Sequence, residues 1–189
     1  RIVELPNCER GNLEIVDKEN LITISGKNYV LNVNKSTGLL ENVKVGEEVL
    51  IKSGPYINLR IPGRRVQYST VWLQDYAENW NDVHFSFEIK NGIAEINTDG
   101  VYDSIAAHFT IKLDVNGIIN FDYTIFNAPE GKTTQEAGIK FIVGDSFQKL
   151  AWNRESYFTV YPENHLGAPV GEADLNLKPE MRYREKPQH

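Results

Sequence analysis

The sequence predicts an all-β protein built as an antiparallel sandwich, and three observations lead there. Apolar and polar residues alternate along many short segments, the period of a half-buried strand. Two Asn-Gly pairs, Asn91-Gly92 and Asn116-Gly117, stand between alternating segments, where two-residue hairpin turns favour that dipeptide. No stretch of ten or more residues carries an apolar period of 3.6, so no helix competes for the core.

Taken in order, residues 1–11 end in a polar Asn-Cys-Glu-Arg-Gly turn and read as a linker or a first edge strand. Residues 12–171 read as the sandwich, and 172–189 as a tail or the cut end of the domain. Within the sandwich, Ile22 and Ile24 share a face, and Tyr29, Leu31 and Val33 alternate after a turn at Lys27-Asn28. Asn34 to Gly38 is a second turn, rich in residues that tolerate tight backbone geometry. Leu39 to Val45 and Val49 to Ile51 follow, then a break at Gly54-Pro55, then Ile57, Leu59 and Ile61. Residues 62–80 read as a long loop with a helical turn near Leu73 to Glu78. Alternation returns in Val83 to Ile89 and in Ile93 to Asn97, and runs unbroken from Ile105 to Val115. Ile119 to Ile125 answers it across the second Asn-Gly turn, and Ile139 to Val143 follows a loop over 127–137.

Composition narrows the function classes. The chain has 189 residues, enough for one sizeable core. Its net charge is −6 and no basic cluster breaks that balance, which argues against nucleic acid or an anionic membrane as partner. No apolar run reaches the length of a membrane span. Cys8 is the single cysteine, so neither an internal disulfide nor a cysteine metal cluster is expected. The four histidines, His84, His108, His165 and His189, stand singly without ligand spacing, and no Asp-x-Asp-x-Asp loop offers calcium a site. No cofactor is expected. The chain opens Arg1-Ile2-Val3 without Met, which reads as a piece cut from something longer, and the compartment stays open between periplasmic and secreted.

The residues from Phe147 to Gly171 gather Trp152, Arg154, Tyr157, Tyr161, Glu163, Asn164 and His165. Aromatic faces beside carboxylate, amide and imidazole groups suit a sugar, whose ring stacks and whose hydroxyls hydrogen-bond. Two segments carry a resemblance. The first is Tyr29 to Leu40, with Lys35-Ser36-Thr37-Gly38-Leu39-Leu40 as its turn, followed by Gly46, Leu50-Ile51 and Gly54-Pro55. The second is Leu150-Ala151-Trp152-Asn153-Arg154 with Tyr161-Pro162-Glu163-Asn164-His165-Leu166-Gly167. In order and spacing they resemble the C-terminal β-sandwich, of the domain-5 or small-chain type, of glycoside hydrolase family 2, the β-galactosidase-like enzymes. The sequence departs from that family's pattern in the run Arg60-Ile61-Pro62-Gly63-Arg64-Arg65 and at Ala168, where an arginine usually stands.

The resemblance implies a galactose mutarotase-like antiparallel supersandwich packed beside a catalytic (β/α)8 barrel of the same enzyme. That barrel would hold the catalytic carboxylates. No carboxylate pair in this chain is singled out by its sequence context, so no catalytic residue is assigned here. The expected carbohydrate contacts are Trp72 and Trp80 in the presumed loop and Glu163, Asn164 and His165 in the late turn. The alternative is a stand-alone carbohydrate-binding module, and a third reading is a structural interface domain. An incomplete sandwich would also leave a sheet edge open for a second copy of the chain.

Overall fold

The computed structural model describes residues 12–62, 73–103, 105–127, 134, 136–153 and 168–174. Every regular element among them is a β-strand, and the sheets are antiparallel. The chain divides into two compact units, Arg1–Val143 and Gly144–His189.

The first unit is a sandwich. Its larger sheet runs in the order β1 (Glu14–Asp17), β2 (Leu21–Ser25), β3 (Tyr29–Asn34), β4 (Leu39–Val45), β5 (Glu48–Pro62) and β11 (Glu136–Val143), with β6 (Leu73–Asp75) also paired to β5. Its smaller sheet runs β10 (Ile119–Phe126), β9 (Ile105–Leu113), β8 (Ile93–Tyr102), β7 (Trp80–Lys90). Alternation decides what each strand buries. Ile105, Ala107, Phe109, Ile111 and Leu113 of β9 are all buried, while the residues between them are not. They meet Ile22, Ile24, Leu31, Val33 and Leu40 of the larger sheet at one end of the core, and Ile57 and Leu59 at the other.

Two expectations change in this unit. Gly54-Pro55 does not break the chain: β5 is one strand of 15 residues through it, with Gly54 opposite Leu40. Gly54 suits the place because its φ is +135° and a Cβ there would press on Phe141. The expected helical turn near Leu73 to Glu78 is instead a strand start. Leu73, Gln74 and Asp75 pair with Pro62, Ile61 and Arg60, and the Tyr76 amide donates to the Leu59 carbonyl at 2.8 Å. Half of β5 extends past β4, and β6 pairs with its last three residues, Arg60 to Pro62.

Among the described residues, polar contacts also cross between the sheets within this apolar core. Trp80 Nε1 donates to the Thr37 carbonyl at 2.8 Å, and Thr98 Oγ1 to the Gly38 carbonyl at 2.9 Å. The Ile57 amide donates to the Tyr102 hydroxyl at 3.2 Å, and the Tyr29 hydroxyl to the Asp114 carbonyl at 2.7 Å. Thr98 is fully buried, so its hydroxyl needs that carbonyl. Gly38 has a φ of +63°, and a Cβ on it would overlap the Thr98 side chain, so the turn admits only glycine without strain.

The second unit contains a hairpin of β12 (Lys149–Asn153) and β13 (Val170–Asp174). Glu172 to Asp174 are therefore strand, where the apolar pattern of the sequence fades. Trp152 Nε1 donates to the Ala168 carbonyl at 3.0 Å, and the indole lies where a Cβ on Gly171 would stand. Lys149 pairs with Glu172 across the strands at 2.6 Å, which raises the ammonium pKa above its ordinary value.

Candidate functional site

Of the expected carbohydrate contacts, Trp80 is the one whose place is described; Trp72, Glu163, Asn164 and His165 lie outside the described residues. Trp80 is not an exposed platform. It is the first residue of β7, its ring centroid lies 4.6 Å from that of Tyr102, and Phe109 meets it edge-on at 5.7 Å. Gly100 makes room beneath it, since any Cβ there would overlap the indole. The ring packs on Tyr102 and Phe109 of its own sheet, and Nε1, committed to the Thr37 carbonyl, ties that packing to the larger sheet. Tyr102 shares that environment, and burial pushes its phenol up to about 12, against a smaller opposing effect of the Ile57 amide.

The chemistry exposed by the sandwich lies instead on the outer face of the smaller sheet. Strand register arranges it in rows. Thr124, His108, Asp99 and His84 face one another across β10, β9, β8 and β7. Asp122, Thr110, Asn97 and Ser86 form the next row, and Asn120, Lys112, Glu95 and Glu88 the one after. Two histidines that stand singly in the sequence thus flank one aspartate.

Hydrogen bonds run through these rows. His108 Nδ1 lies 2.8 Å from Asp99 Oδ1, and its Nε2 lies 3.0 Å from Thr110 Oγ1. Thr110 Oγ1 donates to Asn97 Oδ1 at 2.8 Å, and Asn97 Nδ2 to Glu95 Oε1 at 3.0 Å. Lys112 Nζ closes the ladder on Glu95 Oε2 at 3.2 Å. The Asn97 hydrogen bond, and then Lys112, hold the Glu95 carboxyl below its ordinary pKa. His108 thus sits between Asp99 and Thr110, and its Nδ1 contact orients the Asp99 carboxylate.

At the Asp99 end of the ladder lies an open depression of about 340 Å³. Val101, Ala106 and Phe126 supply its apolar lining; Asp82, His84 and Asp99 supply its polar lining. Phe126 is 47% exposed. A bulge between Asn81 and His84 brings Asp82 to the site, with Asp82 itself at a φ of +50°. Among the described residues no three His, Cys, Asp or Glu side chains converge as metal ligands. Two carboxylates and an imidazole beside an apolar floor can accept and donate hydrogen bonds to a small hydroxylated molecule.

No known protein family's model matches the chain, and no curated protein matches it either.

Sequence reasoning missed this depression because its residues come from four strands. One signal was present. The two-residue turn at Asn91-Gly92 sets Lys90 opposite Ile93, and counting back along both strands places His84 opposite Asp99.

Proposed function

We propose that this chain is a non-catalytic accessory sandwich of a family 2, β-galactosidase-like glycoside hydrolase, set beside a catalytic barrel in carbohydrate degradation. One observation carries the reading. The turn on which the resemblance rests, Lys35 to Leu40, is also the turn on which the two sheets close, through the Thr37 and Gly38 carbonyls. A motif that serves architecture suits a domain whose task is to support a neighbour. Trp80, spent on the same turn, fits that role better than direct sugar contact. A stand-alone carbohydrate-binding module is the second reading, and the depression beside Phe126 is what favours it.

Chromogenic β-glycosides, offered in parallel to this chain and to the product of its whole gene, test the proposal. Cleavage by the whole product and none by this chain is the expected result. Turnover by this chain alone would place the chemistry within these residues and overturn the reading. Cleavage by neither would leave the binding module as the better account.

A further inference from the structure

We propose that the depression on the outer face of the smaller sheet is a binding site for a single neutral pyranose ring. The proposal takes its ligand class from the carbohydrate reading above and adds the place and the residues. Three features support it.

The first is the pairing of surfaces. A pyranose presents a patch of C–H bonds on its face and hydroxyls around its rim. Val101, Ala106 and Phe126 offer an apolar floor, and Asp82, His84 and Asp99 stand beside it with hydrogen-bonding groups. Phe126 ends β10, an edge strand of the sheet, and its ring is half-exposed among the described residues.

The second is order before binding. Asp99 is held through Oδ1 by His108, which is held in turn by Thr110 and Asn97. Among the described residues its Oδ2 accepts no hydrogen bond, which leaves one carboxylate oxygen oriented and available to a pair of hydroxyls. A side chain already fixed loses little freedom when the ligand arrives.

The third is selection by charge and size. Asp82 and Asp99 repel a uronate or a sugar phosphate, so the ring carries no negative charge. A volume of about 340 Å³ falls at the lower end of the roughly 300–1,000 Å³ typical of small-molecule sites, which suits one ring rather than a chain.

The test is an amide chemical-shift titration of this chain with methyl β-galactopyranoside, methyl β-glucopyranoside and methyl α-mannopyranoside, with sodium glucuronate as the charged control. The expected result is saturable shifts around His84, Asp99 and Phe126 for at least one neutral glycoside, with Kd in about the millimolar range, and none for glucuronate. Phe126→Ala and, separately, Asp99→Asn should each weaken that binding roughly tenfold. Both positions are solvent-facing, so spectra of the free variants report directly whether the fold is kept. Shifts that never saturate, shifts that map elsewhere, or variants that bind as well as the parent chain would each overturn the site. Binding here together with a whole gene product that cleaves no glycoside keeps the site and removes the glycosidase reading. Glycoside cleavage by the whole product with no binding here does the reverse.

Discussion

The two faces of the smaller sheet share one set of backbone hydrogen bonds and differ only in which side chains they present. Inward, β9 carries Ile105, Ala107, Phe109, Ile111 and Leu113, all buried against the other sheet. Outward, the residues between them are Ala106, His108, Thr110 and Lys112, of which the last three link to Asp99, Asn97 and Glu95 of β8. Burial of apolar area stabilises by about 25 cal/mol per Å², whereas solvent-facing polar pairs contribute little. One strand therefore divides its work by parity: alternate residues hold the fold, and the ones between are free to carry chemistry.

The sharpest way to break that comparison is Phe109→Ala. Phe109 is 1% exposed and sits where Trp80, Thr98 and Tyr123 surround it. Deleting its ring should cost about 3–5 kcal/mol in a urea or guanidinium melt, from lost burial and from the cavity left behind. Much of a small domain's stability would go with it. A cost below about 1 kcal/mol would mean that the core repacks freely and that parity does not divide the work.

The same division explains what could be read from the sequence. Periodicity is a property of neighbours in the chain, so the Ile105–Val115 alternation and the hairpin at Asn91-Gly92 were legible, and with them the all-β fold. Gly54-Pro55 misled because a breaker in isolation becomes tolerable when β4 and β11 pair on either side of it. Leu73 to Asp75 misled because their strand partner, the end of β5, supplies the reason for their conformation. The candidate site was least legible. His84, Asp99, His108 and Phe126 are distant in sequence, and only register across three strand pairs brings them to one place. Trp80 looked like a surface aromatic because the sequence does not show that Gly100 leaves space for it beneath the sheet.

Within the core, Tyr102 offers a subtler probe than a deletion. Its phenol pKa is pushed from the usual value of 10.0 up to about 12, chiefly by burial, so the folded state favours the neutral form. The group's contribution is complete below pH 10, the unfolded value, and declines as pH rises through 10 toward 12. Thermal melts of the parent chain should lose Tm across that window. Tyr102→Phe, which lowers stability at neutral pH by leaving the Ile57 amide without its acceptor, should lose less over the same window. Equal alkaline slopes for the two proteins would show that the phenol is not what the core keeps neutral.

On the outer face the expected effect is smallest. Glu95 accepts hydrogen bonds from Asn97 and Lys112, and these hold its pKa below the ordinary value of 4.5. A lowered carboxyl stabilises above its unfolded pKa, and that contribution is lost as pH falls through the lowered value. Water screens the pair, so Glu95→Gln at neutral pH should shift Tm by no more than the error of a melt, and acidification should erase even that difference. It should also leave pyranoside binding unchanged, because Glu95 stands two rows along the ladder from His84 and Asp99. A loss comparable to that of Phe109→Ala would show that the polar ladder, and not the buried face alone, holds the fold. The outer rows would then be architecture, and their chemistry would no longer be free for a ligand.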